Sequence, residues 1–386
     1  MPLFQPVSIL DQQREVILYG AGNIGRQVHA TLTQHGWTVR CFLDQQAQSG
    51  AQWHGVPILR PDTDTLTADE HRLPVIITIF NRDVNIPAVA ARLAELGYGA
   101  CLSFVDFHAR FAAELGDRFW LVDRRFYTTP HEEIERAQPL WADEVSQTIY
   151  RGTIAFRQTG DYAQLPVPQP DHVQYFPSDI ADWPPALPLR FVDCGAYDGD
   201  TLTALTQLNF PVEAVAGFEP DLVNFQRLAD RARNYQPLPR DGIALWPCGV
   251  AARTETLSFA TGQGEGSRLS QEGSTIIQCV ALDDVLPGFR PTLIKMDIEG
   301  AEPDALLGAR RLIADYRPGL AISVYHRPEH LWQIPLTLSQ WDSRYQFYLR
   351  VHAFDGFDTI LYAVPSARSA CLGQSKRCGA GNGPGL

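Results

Sequence analysis

Twice in this sequence an apolar run ends in a glycine turn that opens into a helix-patterned stretch: "EVILYGAGNIGRQV" at 15–28 and "LRFVDCGAYDGDTL" at 189–202. A short apolar run closed by glycine reads as a strand buried on both faces. The helix that follows carries the chain back over the sheet, so the next strand lies parallel to the first. Two such units predict an α/β protein with two Rossmann-like parallel-sheet domains. The 386 residues, 45% hydrophobic and 20% charged, are enough for two cores.

The elements around each turn alternate accordingly. In the first unit, residues 1–107, strands are expected at 15–20, 38–44, 55–59, 73–81 and 100–107, with helices at 26–36 and 84–97. Residues 108–188 have another texture. Helical patches, one with Thr129 as N-cap and Pro130 at the first helical position, lead into the Pro-rich "LPVPQPDHVQYFPSDIADWPPALPLR". The spacing predicts a helical bridge and an extended connector, whose aromatic stretch 175–183 either lids a pocket or buries the linker. The second unit, 189–365, should hold strands at 189–195, 212–220, 242–250, 255–260, 274–286, 291–302 and 319–326, then an antiparallel terminal pair at 345–353 and 358–365. The Gly- and Ser-rich tail 366–386 shows no periodicity and reads as disordered, with Cys371 and Cys378 incidental to any site.

A formal net charge of −12 argues against a nucleic-acid partner and against an anionic membrane surface. No apolar run reaches a membrane span, and the first residues lack the basic and apolar regions of a signal peptide. Seven cysteines without a CxxC pair suit a reduced, cytoplasmic compartment better than a disulfide framework.

The first glycine turn, "GAGNIG", has dinucleotide-loop spacing. Gly20 permits the turn, Gly22 lets a pyrophosphate approach the backbone, Gly25 lets helix and strand pack, and Asp44 ends the next strand where a ribose would lie. The same residues suit a scaffold whose glycines serve packing alone. With "CFLDQ" and "HGVPIL", the segment resembles the small N-terminal Rossmann-like domain of PglD-type sugar acyltransferases, a resemblance that implies nucleotide-sugar binding.

The second turn, "DCGAYDGDT", spaces its glycines differently and sets an acid, Asp193, before the first. An acid at the end of strand one, a glycine turn, and an acid ending strand two (Glu219 in "GFEP") suit a nucleoside that carries an amino acid. The turn sits against the amino-acid moiety, and a carboxylate accepts the vicinal ribose hydroxyls. "PCGV" at 247–250 would flank the base. These pieces resemble the S-adenosylmethionine site of a class I methyltransferase. With "KMDIEGAE" and "VYHRPEHLW" added, residues 170 to 365 resemble the FkbM-type methyltransferases, which methylate hydroxyls of sugars and polyketides. Membership implies S-adenosylmethionine held by Asp193, Gly195, Tyr197, Asp198, Gly199, Glu219, Pro220, Cys248, Gly249 and Asp297.

Methyl transfer to an aliphatic hydroxyl needs proton removal as the bond forms. Asp297 is the first candidate base, His326 the second, and Glu299 would orient either. Asp297, Glu299, Glu302 and His326 are alternatively the donor set of a divalent metal, or Asp297 and His326 serve only as turn and core residues. The expected acceptor is a sugar or glycan, nucleotide-linked or lipid-linked. The alternatives are a polyketide acceptor, an NAD-linked oxidoreductase built on "GAGNIG", and a non-catalytic binding module. A homodimer is left open.

Overall fold

Both glycine turns sit where a parallel strand ends in the computed structural model, which describes residues 3–62, 66–129, 132–260, 268–269 and 275–366. The strands are β1 Glu15–Tyr19, β2 Thr38–Leu43, β3 Gln52–Trp53, β4 Val56–Leu59, β5 Val75–Ile77 and β6 Cys101–Ser103; then β7 Leu189–Cys194, β8 Val212–Phe218, β9 Ile243–Trp246, β10 Gly249–Val250, β11 Glu255–Ala260, β12 Arg268–Leu269 and β13 Thr275–Val280; then β14 Leu293–Met296, β15 Gly319–Ser323, β16 Tyr345–Val351 and β17 Thr359–Pro365. The first six form one sheet, in the order β3-β4-β2-β1-β5-β6. Seven form the second, β16-β17-β15-β14-β7-β8-β9, and β10-β13-β11-β12 make a small third sheet. The second sheet is parallel except for β17, which inserts antiparallel between β15 and β16. Its central strands β7 and β14 are buried nearly throughout, as strands covered by helices on both faces must be.

Several expected strands are shorter than the sequence pattern, such as β5 and β14, and in three the run divides. The stretch 242–250 divides at Pro247, which has no amide to continue a ladder: β9 stays in the second sheet and β10 pairs with β13 in the third. The stretch 274–286 is β13 followed by a helix, Leu282–Val285. The stretch 100–107 is β6 followed by helix Phe104–Arg110, because the Ser103 side chain accepts the Asp106 amide and caps a helix there. Pro130 and the tail beyond Ser366 lie outside the described residues. Among the described residues no helix is long and apolar enough to cross a membrane, and Cys41, Cys101, Cys194, Cys248 and Cys279 are free and buried.

The bridge is fastened to both sheets. Its one long helix, Glu144–Thr159, starts at Asp143, whose carboxylate accepts the Ser146 amide, and ends at Gly160 in the left-handed conformation. Ser146 Oγ accepts the Leu349 amide at 2.8 Å, so the helix start is tied to edge strand β16. One core runs from the first sheet through Trp120 and Phe156 of the bridge to Tyr325, Ala353 and Phe357 beyond the second sheet's strands. The loop after β5 thereby faces the second unit: Phe80 packs 4.8 Å from Phe357, and Arg82 pairs with Asp171 and the buried Asp358.

Candidate active site

The carboxyl ends of β7, β8 and β14 open onto a cleft, the position at which open α/β sheets bind ligands. The turn after β7 brings the backbone in close. Gly195 has φ +77°, and a Cβ there would lie 1.9 Å from the carbonyl oxygen of Asp297. Only glycine lets the turns after β7 and β14 touch. Tyr197 follows at φ +46°, and its amide donates to Glu219 Oε2 at 2.9 Å while the Asp221 amide donates to Oε1 at 2.8 Å. Two amides thus fix the Glu219 carboxyl at the end of β8. Burial pushes its pKa up to about 7 against their pull.

Beneath the turn lies a buried ion pair. Lys295 of β14 stands opposite Asp193 of β7 in register, with Nζ 3.0 Å from Asp193 Oδ1, and it donates to the Gly195 carbonyl. Burial opposes the charge of Lys295, but Asp193, Asp297 and Asp200 outweigh it and hold its pKa above the ordinary value. Asp193 therefore holds the floor of the cleft through Lys295 and does not line it. Tyr175, from the aromatic stretch of the connector, covers Lys295 with its ring 5.1 Å from Nζ and donates its hydroxyl to Asp297 Oδ2 at 2.7 Å.

Asp297 begins a run of acids on the turn after β14. His326, just past β15, reaches this turn with Nδ1 2.7 Å from Glu302 Oε1 and Nε2 3.3 Å from Asp297 Oδ1 and 3.7 Å from Glu299 Oε2. Glu302 is fully buried, accepts the Ile298 amide at 3.0 Å and lies 3.3 Å from His330. Burial works against the charges of both Glu302 and His326. Their mutual attraction prevails, with Glu299 and Asp297 also favouring the imidazolium, so Glu302 is held well below the usual carboxyl range and His326 above that of a free imidazole.

Of the residues anticipated as ligand contacts, Gly195, Tyr197, Glu219, Pro220, Gly249, Asp297 and Glu299 line the cleft together. Asp198 is turned to Arg231 at 2.7 Å, Gly199 shapes the turn at φ +89°, and Cys248 is buried. His326 lines an adjoining recess, which Glu299 shares with the cleft. Sequence reasoning passed over Lys295, Asn224 and Arg82, all in the cleft wall, and named Tyr175 only as part of the aromatic stretch 175–183. Lys295 had a signal, a lone cation within a run otherwise fit for a fully buried strand. Arg82 had none, since only the docking of the two units brings it there.

The first glycine loop is separate. Asp44 accepts the Ala21 amide at 3.0 Å and the Gln46 amide at 2.8 Å, and Thr78 Oγ1 donates to the Gly20 carbonyl at 2.9 Å. A Cβ on Gly25 would lie 2.0 Å from the Gly20 oxygen, whereas one on Gly22 would meet nothing within 4 Å. Gly25 is thus required by packing, and Asp44 is engaged by the loop itself.

Residues 193–358 match the family model of the methyltransferase FkbM domain. The structure of methyltransferase FkbM from Methylobacillus flagellatus KT is similar over 94% of this chain and 95% of that one, with a TM-score of 0.76 and 25% identity. Aeropyrum pernix fibrillarin, in complex with natively bound S-adenosyl-L-methionine, is similar over 48% of this chain and 70% of that one, with a TM-score of 0.31 and 13% identity. No curated protein matches the chain significantly. The carboxyl ends of β7, β8 and β14, on which the cleft opens, fall within the matched span, and that part of the chain is a methyltransferase domain of the FkbM family.

Proposed function

We propose that the chain is an O-methyltransferase that moves the methyl group of S-adenosylmethionine to a hydroxyl of a sugar or glycan. The observation that carries this reading is one cleft with Glu219, fixed by two amides, at one strand end and the Asp297–His326 pair at another. The residues present fit the donor. Glu219 offers both carboxylate oxygens to a ribose diol. The Gly195 turn lines the cleft and sets its backbone against the amino-acid moiety. Val250 and Ile277 give the cleft an apolar wall for the base.

Bound there, the donor supplies a methyl group on a sulfonium: the acceptor oxygen forms the C–O bond as the C–S bond breaks, and that electron pair stays on sulfur. The hydroxyl proton must leave toward the protein. Asp297 is placed to receive it, with Tyr175 holding Oδ2 and His326 beside Oδ1. The adjoining recess, lined by Phe119, Phe126, Asp117, Asp123, Glu299 and Arg327 among others, opens onto this cluster. Aromatic faces and carboxylates are groups that take up the C–H faces and hydroxyls of a sugar.

Isothermal titration of the purified protein with S-adenosylmethionine, beside Glu219→Ala and Asp193→Ala, tests the donor. Both substitutions should remove binding, the first by deleting the diol acceptor and the second by freeing Lys295. A folded wild-type protein that does not bind would end the reading. Methyl-labelled donor offered with sugars, nucleotide-linked sugars and polyketide alcohols then tests the acceptor, and label confined to the polyketides would move the acceptor class.

A further inference from the structure

We infer that His326, Asp297 and Glu299 form a divalent-cation site between the donor cleft and the adjoining recess, with Glu302 orienting the imidazole from behind. The imidazole is oriented as a metal ligand is. Glu302 Oε1 lies 2.7 Å from Nδ1 and accepts the Ile298 amide at 3.0 Å, so its ionised carboxylate is fixed and accepts a hydrogen bond from Nδ1–H. A carboxylate behind one ring nitrogen, leaving the other to face a cation, is the usual support of a metal-bound histidine.

The facing atom, Nε2, has no hydrogen-bond partner, although His326 is only 3% exposed. Its polar neighbours across the gap are Asp297 Oδ1 at 3.3 Å and Glu299 Oε2 at 3.7 Å. A charge-assisted N–H···O contact closes to about 2.7–2.9 Å. Donor atoms around one cation with bonds of about 2.1 Å stand roughly 3.0–3.5 Å apart, which is nearer to what is found. Asp297 and Glu299 both face Nε2, and Glu302, with a ligand atom within 4.8 Å of those of Asp297 and His326, closes the cluster from behind the ring.

Charge points the same way. Three carboxylates, those of Asp297, Glu299 and Glu302, meet two imidazoles in a largely buried volume. One nitrogen with carboxylate oxygens suits Mn²⁺, Fe²⁺ or Zn²⁺ better than Mg²⁺ or Ca²⁺. The chemistry has a use for such an ion. A carboxylate is a weak base toward an aliphatic hydroxyl, and a cation that binds the acceptor oxygen makes the hydroxyl more acidic, so the proton leaves readily. The site stands whether the acceptor is a sugar or a polyketide.

The test is titration of the full chain, stripped with chelator, with Mn²⁺ by calorimetry, and by pulsed electron paramagnetic resonance for coupling to a ligand nitrogen. The expected result is one Mn²⁺ per chain, a nitrogen coupling lost in His326→Gln, and affinity at least tenfold weaker in Glu299→Gln. Asp123→Asn, in the recess wall but outside the cluster, should bind as the wild type does. Protein that binds S-adenosylmethionine but takes up neither Mn²⁺ nor Zn²⁺ at 1 mM would overturn the site. So would Mn²⁺ binding that is unchanged in Glu299→Gln and shows no nitrogen coupling. Should His326→Gln fail to fold, Glu299→Gln and the wild-type spectrum still decide. The donor titration is separate, so failure of the cation site leaves the methyltransferase reading intact.

Discussion

At the scale of single residues, the cleft depends on charges whose surroundings are set by backbone. Glu219 is the clearest case. Its pKa of about 7 lies above the ordinary 4.5 because burial outweighs the two amides. A carboxyl that holds its proton more tightly folded than unfolded costs stability when it ionises. That cost is absent below about pH 4.5, grows through the window, and is complete above 7. Donor hydroxyls bind the ionised form, so affinity for S-adenosylmethionine should fall about tenfold per pH unit below 7 and level off above it. Calorimetry at pH 5.5, 6.5 and 7.5 would show this, and Glu219→Gln should flatten the profile. A wild-type profile that is already flat counts against Glu219 as the diol acceptor. Glu219, Asp297 and the Gly195 turn were legible in the sequence because a strand end is announced by its apolar run. Asp193 was legible as important but not as the partner of Lys295, because pairing register is a property of two strands and not of one.

At the scale of elements, the bridge is part of the second sheet's edge. Trp141 forms a parallel bridge with Phe347, and the Ala142 amide donates to the Phe347 carbonyl at 2.8 Å, so β16 does not present a bare edge there. Arg350 of β16 is 1% exposed and joins this bridge to the connector through Asp143 at 2.8 Å and Asp179 at 2.7 Å. Arg350→Met should lower stability by about 2 kcal/mol, less than for a fully buried pair because both aspartates can rehydrate. Asp143→Asn should cost less. Urea unfolding checks both, and an unchanged midpoint for Arg350→Met would mean that packing alone holds the bridge. The helix here was foreseeable from its caps, whereas the three short β-like runs were overread. Pro247 and the Ser103 cap were visible in the sequence, but apolar continuity around them hid the breaks.

For the whole molecule, one core joins the first sheet, through the bridge, to Tyr325, Ala353 and Phe357 beyond the strands of the second, and the loop after β5 brings Arg82 to the cleft. A chain lacking residues 1–107 would expose Trp120, Tyr325, Ala353 and Phe357 and lose Arg82 from the cleft wall. It should be recovered aggregated or binding hydrophobic dye, without cooperative unfolding. A cooperative, donor-binding fragment would show instead that the units stand alone.

The sequence by itself determined what neighbouring residues along the chain can decide: the alternation of strand and helix, the turns that only glycine permits, and the acids that end strands β8 and β14. These follow from local sterics and hydrophobic period, which act over a few residues. The tertiary structure alone decided which strand lies beside which, and so set Lys295 under Asp193, His326 behind Asp297 and Arg82 at the cleft. Those contacts join positions up to hundreds of residues apart. They exist only because burying the two sheets outweighs the entropy of holding such distant groups together.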